Sequence, residues 1–115
     1  MYEIKQILQD KSYIQTLEYL QEERKKSLFS RNGKLILNNY SILYIRELWK
    51  DEQLLKYSYY WFTANNKLIM GWDNAPHHRE LDSFPHHKHS EKGIEPSTEQ
   101  NLPDVIEYIT RLFLS

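Results

Sequence analysis

Histidine occurs at five positions of this 115-residue chain, and all five fall within thirteen residues: His77, His78, His86, His87 and His89. They form two runs, Ala75-Pro76-His77-His78 and Phe84-Pro85-His86-His87-Lys88-His89, each opened by a proline. An unperturbed imidazole changes charge between about pH 5 and 8, and its neutral ring is a metal ligand. Such clustering points to proton transfer, metal binding or recognition of a polyanion. The plainer alternative is a solvated loop, since loops collect polar residues without needing a function.

Three chemistries fit the segment. The first is metal binding. Neutral imidazoles suit zinc, copper or nickel; His87 and His89 face the same side if they lie on a strand, and His77 or His78 can complete a set. Against it, adjacent histidines point apart on a strand, the spacing matches no zinc motif such as His-Glu-x-x-His, and the chain has no cysteine. No metal held through three or more histidines is therefore expected, and no cofactor. The second chemistry is cleavage of RNA through its own 2′-hydroxyl. It needs a base, an acid for the leaving oxygen, and cations for the phosphorane charge. His77, His78, His86, His87 and His89 are the candidate acids and bases, with Arg79 and Lys88 interleaved. Tyr57, Tyr59, Trp61 and Trp72 can stack unpaired bases, Arg46 can hold a phosphate, and Asp73 can orient an imidazole. Arg46-Glu47 is equally readable as a surface ion pair of small worth, and Asp73-Asn74 as an Asx turn. In the third chemistry the loop docks on a protein partner, with aromatics as anchors. The second is adopted here.

Composition sets the frame. The length suits one domain, residues 1–115. The absence of cysteine makes a cytoplasmic protein the easiest fit, nothing resembles a signal peptide, and no run is apolar enough to span a membrane. Residues 1–50 carry net charge +3 and residues 51–115 carry −4. That balance argues against a strongly basic passive nucleic-acid binder but not against an enzyme touching a few phosphates.

The elements that position the histidines follow from periodicity. Ile4, Ile7 and Leu8 share one helical face. Residues 13–24 fit either state: Ile14, Leu17 and Leu20 recur at helical spacing, whereas Tyr13, Ile14, Thr16 and Tyr19 suit a strand. The Glu22–Lys26 charge run reads as a solvated face or turn. Lys34–Leu37 and Ser41–Arg46 read as strands joined by an Asn38-Asn39-Tyr40 hairpin turn. Residues 54–63 put Tyr57, Tyr59, Trp61 and Thr63 on one face and Ser58, Tyr60 and Phe62 on the other. A turn at 64–67 leads to a strand over 68–72. The links are too short for helical crossovers, so the pairing should be antiparallel. Residues 74–100 form a long connection with a short strand near 86–95; loops of this length in compact domains are usually functional or disordered. From Pro103 a helix presents Leu102, Val105, Ile106, Ile109, Leu112 and Phe113 as one stripe. The expectation is an α+β fold: an N-terminal helix, an antiparallel meander of four to six strands, a C-terminal helix packed on the sheet, and the histidine loop across one sheet face beside the tyrosines.

Trp72-Asp73-Asn74-Ala75-Pro76-His77-His78 followed by Phe84-Pro85-His86-His87-Lys88-His89 resembles the paired signature of the TumE-type toxins of type II toxin–antitoxin systems. Ser41–Glu47 and Lys56–Trp61 are similar to that family's strands, and the likeness runs from about Leu28 to Phe113. The chain departs from it at Asn38-Asn39-Tyr40-Ser41, where the family has an Asp/Asn-Gly-Ser turn; this touches the hairpin and not the histidines. The resemblance implies a small toxin neutralised by an antitoxin from an adjacent gene, one with a helix-turn-helix part. The order of elements is also similar to RelE-like ribonuclease toxins, a fold-level analogy only. Together with the histidine segment it sets the expected activity as metal-independent, translation-inhibiting RNA cleavage.

Overall fold

The structure is a computed structural model and describes residues 2–114. A short helix α1 (Ile4–Leu8) precedes strands β1 (Ile14–Lys25), β2 (Leu28–Leu37), β3 (Ile42–Lys50), β4 (Gln53–Phe62), β5 (Leu68–Asp73), β6 (His87–Ser90) and β7 (Gly93–Pro96), and helix α2 (Leu102–Leu114) ends the chain. Each strand pairs antiparallel with the next, so the sheet order is the sequence order. Among the described residues the strands number seven. The expected four to six strands are thereby overturned, while the antiparallel meander between two terminal helices is present.

Two uncounted strands account for the difference. Ile14, Leu17 and Leu20 recur every three residues, which in a regular strand would scatter them over both faces. The β1–β2 register shifts between Ile14 and Thr16 and again between Leu17 and Tyr19. Each irregularity adds a residue on one side, so all three side chains reach the core face, opposite Leu37, Leu35 and Gly33. A doubly bulged strand thus imitates helical periodicity. The other missed strand is β7, which returns along β6 after the two residues Glu91-Lys92. Gly93 accepts the φ of 104° there, a value open to glycine at little cost.

Strand alternation divides the sheet. One face carries Leu35, Leu37, Leu43, Ile45, Tyr57, Tyr59, Trp61 and Trp72 into the core, closed by Leu102, Val105, Ile106 and Ile109 of α2. Full burial of a large apolar side chain stabilises by about 1.5–3 kcal/mol, and this layer fixes the sheet on its helix. Leu112, expected in the same stripe, is exposed instead, while Phe113 stacks on Tyr13. The α2 N-terminus is capped reciprocally: Asn101 Oδ1 accepts from Asp104 N–H, and Asp104 Oδ2 accepts from Asn101 N–H, each at 3.0 Å.

The core also holds a charge. Glu47 is buried beside Arg31, whose Nη1 donates to Oε1 at 2.9 Å. Trp49 Nε1 donates to the same oxygen, and the hydroxyls of Tyr59 and Tyr2 donate to Oε2. Arg31 in turn binds Glu22 and the Tyr2 carbonyl. Burial, followed by the Glu47 charge, pushes the Tyr59 hydroxyl far above its ordinary range, so it serves as a fixed donor. Removing one partner of such a pair leaves an uncompensated buried charge. Glu47→Ala should therefore cost about 3–5 kcal/mol of unfolding free energy in urea titrations. A loss below about 1 kcal/mol, the range of an exposed pair, would show that the network does not hold the fold.

Candidate functional site

The face away from the helices is where the chemistry gathers. Cross-strand partners share a face, so the pairs Tyr60–Gly71, Ser58–Asp73, Asp73–His87 and Gly71–His89 put Tyr60, Asp73, His87 and His89 together. The two histidines alternate along β6 and project to the same side. His78 comes from the loop between β5 and β6 and closes the group. Its ring centroid lies 5.0 Å from that of His87 and 6.1 Å from that of His89, and the latter two are 4.8 Å apart. The three rings stand edge to face, at 71–75°.

Asp73 is the centre of the cluster. Its Oδ1 lies 2.6 Å from His87 Nε2 and accepts from the Ala75 N–H at 3.1 Å. Its Oδ2 accepts from the Tyr60 hydroxyl. The carboxylate–imidazole contact and the Asx-like turn, alternatives on sequence grounds, coexist on one oxygen of the same carboxylate. His87 Nδ1 meets the Pro85 carbonyl at 2.9 Å. His89 Nε2 stands 3.4 Å from Asp73 Oδ2, close enough for a charge contact but without hydrogen-bond alignment, and this atom is buried. Burial lowers the His89 pKa, against the pull of Asp73. His78 Nδ1 contacts Glu80 Oε1 at 3.3 Å. Burial, and then the hydrogen bond to Asp73, raises the pKa of the Tyr60 hydroxyl, which keeps it a donor.

The remaining sequence candidates lie elsewhere. His86 splits from His87, as an adjacent pair on a strand must, and its Nδ1 meets the Tyr57 hydroxyl at 2.9 Å. Burial pushes that phenol up to about 12. Tyr59 and Trp61 are buried in the core, with their polar atoms held by Glu47 and Ser41, so neither offers a ring to a base. Lys88 pairs with Trp72 on the helix side and shares a depression with Glu99, Asp104 and Glu107. Arg79 lies over the Phe84 ring. Arg46 and Glu47 are not a pair: Glu47 enters the core, while Arg46 stands on the opposite, exposed face, with its Nε donating to Asn32 Oδ1. There Arg46 lines a cleft of about 890 Å³ together with Lys56, Tyr57, Tyr60, Asp73 and His77.

The rings expected to stack on bases, Tyr57, Tyr59 and Trp61, lie on the core-facing side of β4. The rings on the cluster's face are Tyr60, Phe62 and, across from Tyr60 on β3, Tyr44. Phe62 packs against both tyrosines, and Lys34 Nζ lies over the Tyr44 ring. Either parity of 57–62 is aromatic, so composition cannot choose between them. The usable signal is Arg46, which faces Ser58 in the register and thereby marks the polar side.

Comparison with known families places the chain among protein toxins: the family model described as Toxin TumE matches residues 4–113. The chain belongs to the TumE family, as its two histidine blocks suggested, and extends that likeness through β1 to α1. A toxin of this kind has an antitoxin as its partner. Comparisons with curated proteins and with solved structures found no match. Among the described residues no helix is long and apolar enough to cross a membrane.

Gly71 is required by the cluster. A Cβ there would overlap the Tyr60 ring, whose hydroxyl braces Asp73. Gly71→Ala should displace that ring and shift the side-chain NMR signals of His87 and His89 while leaving His77 unmoved. Unchanged His87 and His89 signals in the folded variant would remove Tyr60 as the brace.

Proposed function

We propose that this toxin cleaves RNA, with the Asp73–His78–His87–His89 cluster as its reaction centre and the surrounding sheet face as its substrate platform. The observation that carries the reading is the convergence of those four residues on the same sheet face as Arg46, Lys34, Tyr44, Tyr60 and Phe62. Cations and stacking rings on one surface are what an unpaired RNA strand needs. The cluster then takes the proton from a 2′-hydroxyl as that oxygen attacks the adjacent phosphorus, and the 5′-oxygen leaves with a proton returned to it. Imidazole is the group here suited to both transfers near neutral pH.

The roles within the cluster are unequal. Both nitrogens of His87 face oxygens, so His87 positions Asp73 and its neighbours. His78 is the residue placed to act on substrate, whereas the free Nε2 of His89 is buried against Asp73 and tunes the cluster from within. Arg46 would hold a phosphate along the cleft. The antitoxin, encoded by the adjacent gene and carrying a helix-turn-helix part, would neutralise the toxin by covering this face.

Induced expression with and without the neighbouring gene, followed by mapping of RNA ends, tests the reading. His78→Ala should lower the cleavage rate by about 10²–10⁴-fold. Arg46→Ala should mainly raise the RNA concentration needed, and His86→Ala should stay active because its ring lies with Tyr57. Arrested growth without new RNA ends would defeat RNA cleavage, and full activity of a folded His78→Ala/His89→Ala double variant would defeat the site.

A further inference from the structure

We infer that the cluster is a binding site for a divalent transition-metal ion of the zinc type, held by His87 Nε2, His89 Nε2 and the Asp73 carboxylate. The ligand atoms of His87, His89 and Asp73 all lie within 4.8 Å of one another. Donors arranged tetrahedrally around an ion at about 2.1 Å stand about 3.4 Å apart. His89 Nε2 stands at that spacing, 3.4 Å, from Asp73 Oδ2, and His87 Nε2 lies 2.6 Å from the other oxygen, Oδ1, so a turn of the carboxylate and a small outward shift of His87 bring both nitrogens around one ion.

The hydrogen bonds around the cluster point the same way. A metal-bound histidine typically donates its other ring N–H to a carbonyl or carboxylate, which fixes the tautomer and turns the lone pair toward the ion. His87 Nδ1 is on the Pro85 carbonyl and His78 Nδ1 is on Glu80. If both Nδ1 atoms donate, both Nε2 atoms carry lone pairs. His87 Nε2 faces a carboxylate oxygen at 2.6 Å, where either a proton or a bound ion can join the two atoms, the ion by displacing the proton. His89 adds a buried Nε2 that has no hydrogen-bond partner. Imidazole with one carboxylate is a ligand set for zinc-like ions and a poor one for magnesium, which prefers oxygen throughout.

The sequence expectation excluded a metal held through three or more histidines. The core of this site needs only two, because the third ligand is the carboxylate of Asp73. Both histidines lie on one strand with one residue between them, a spacing absent from the helix-borne zinc motifs. The inference deepens the proposed function by naming the ion through which the cluster would activate an oxygen, yet binding is measurable without RNA. Loss of one does not decide the other.

The test uses the full chain without a polyhistidine tag, stripped with chelator and titrated with zinc chloride under calorimetry and histidine side-chain NMR. One zinc per chain should bind, with the first spectral changes at His78, His87 and His89 and none at His77 or His86. Magnesium should not compete. His87→Ala, His89→Ala and Asp73→Asn, each checked for folding by circular dichroism, should weaken zinc by at least about 100-fold, whereas His86→Ala should bind as the parent does. If the first zinc changes fall at His77 and His86, or affinity is equal in the folded His87 and His89 variants, the site is not there. The wild-type NMR pattern decides the question even where a variant fails to fold.

Discussion

The carboxylate of Asp73 is the tie on which the histidine cluster and the strand that carries it depend. It ends β5, and three separate parts of the chain come to it: the Tyr60 hydroxyl from β4, the Ala75 N–H from the start of the loop, and His87 Nε2 from β6. Backbone pairing alone joins β6 to β5 through three residue pairs, a short ladder beside the nine-pair register of β2 with β3. Charge-assisted hydrogen bonds are roughly twice as strong as neutral ones, so a single ionised group can hold a short strand where it would otherwise fray. Without Asp73, both histidines of β6 would lose their fixed position along with the strand that carries them.

A second constraint lies in the parity of the sheet. Adjacent residues on a strand have opposite fates, and this chain uses the alternation to separate two networks of charge by the thickness of one sheet. Glu47 and Arg31 form a closed core network in which each oxygen of the carboxylate has two donors. Arg46 and Asn32, one residue away on the same two strands, face outward beside the cleft. The core network is saturated and serves structure. The cluster on the other face is not saturated, since His89 keeps an unpaired buried nitrogen. Among the described residues this is the buried side-chain nitrogen or oxygen left without a hydrogen-bond partner, and such an exception asks for an explanation.

Much of this was legible in the sequence, and the failures have physical causes. The histidine blocks, the antiparallel pairing, the Asn38–Tyr40 turn and most of the α2 stripe follow from residue types and short spacings. The antitoxin-bearing family followed from the order of the blocks. What could not be read was anything that depends on register across strands. Arg31 and Glu47 are sixteen positions apart and meet only because β2 and β3 pair as they do. The choice between Tyr57–Tyr59–Trp61 and Ser58–Tyr60–Phe62 for the exposed face has the same root. β1 was hidden by its bulges, which turn a period of two into a period of three. Asp73 was identified as a partner for an imidazole, but which histidine it would meet depended on the β5–β6 register.

The division of labour between strand and loop also bears on how a toxin can be held inactive. Asp73, His87, His89 and Tyr60 sit on paired strands, and their mutual geometry is set by the sheet. His78 comes from the loop, and Glu80 beside it is exposed. Residues on regular elements hold a reactive geometry more tightly than residues on loops, so the cluster has a rigid part and an adjustable one. Local opening of a loop costs far less than opening a paired strand. A partner that displaced the loop would remove His78 and reshape the cleft without disturbing the strand-borne residues. The same geometry would return when the partner left. Reversible silencing of this kind needs no unfolding of the toxin, only a surface on which the antitoxin outcompetes a loop.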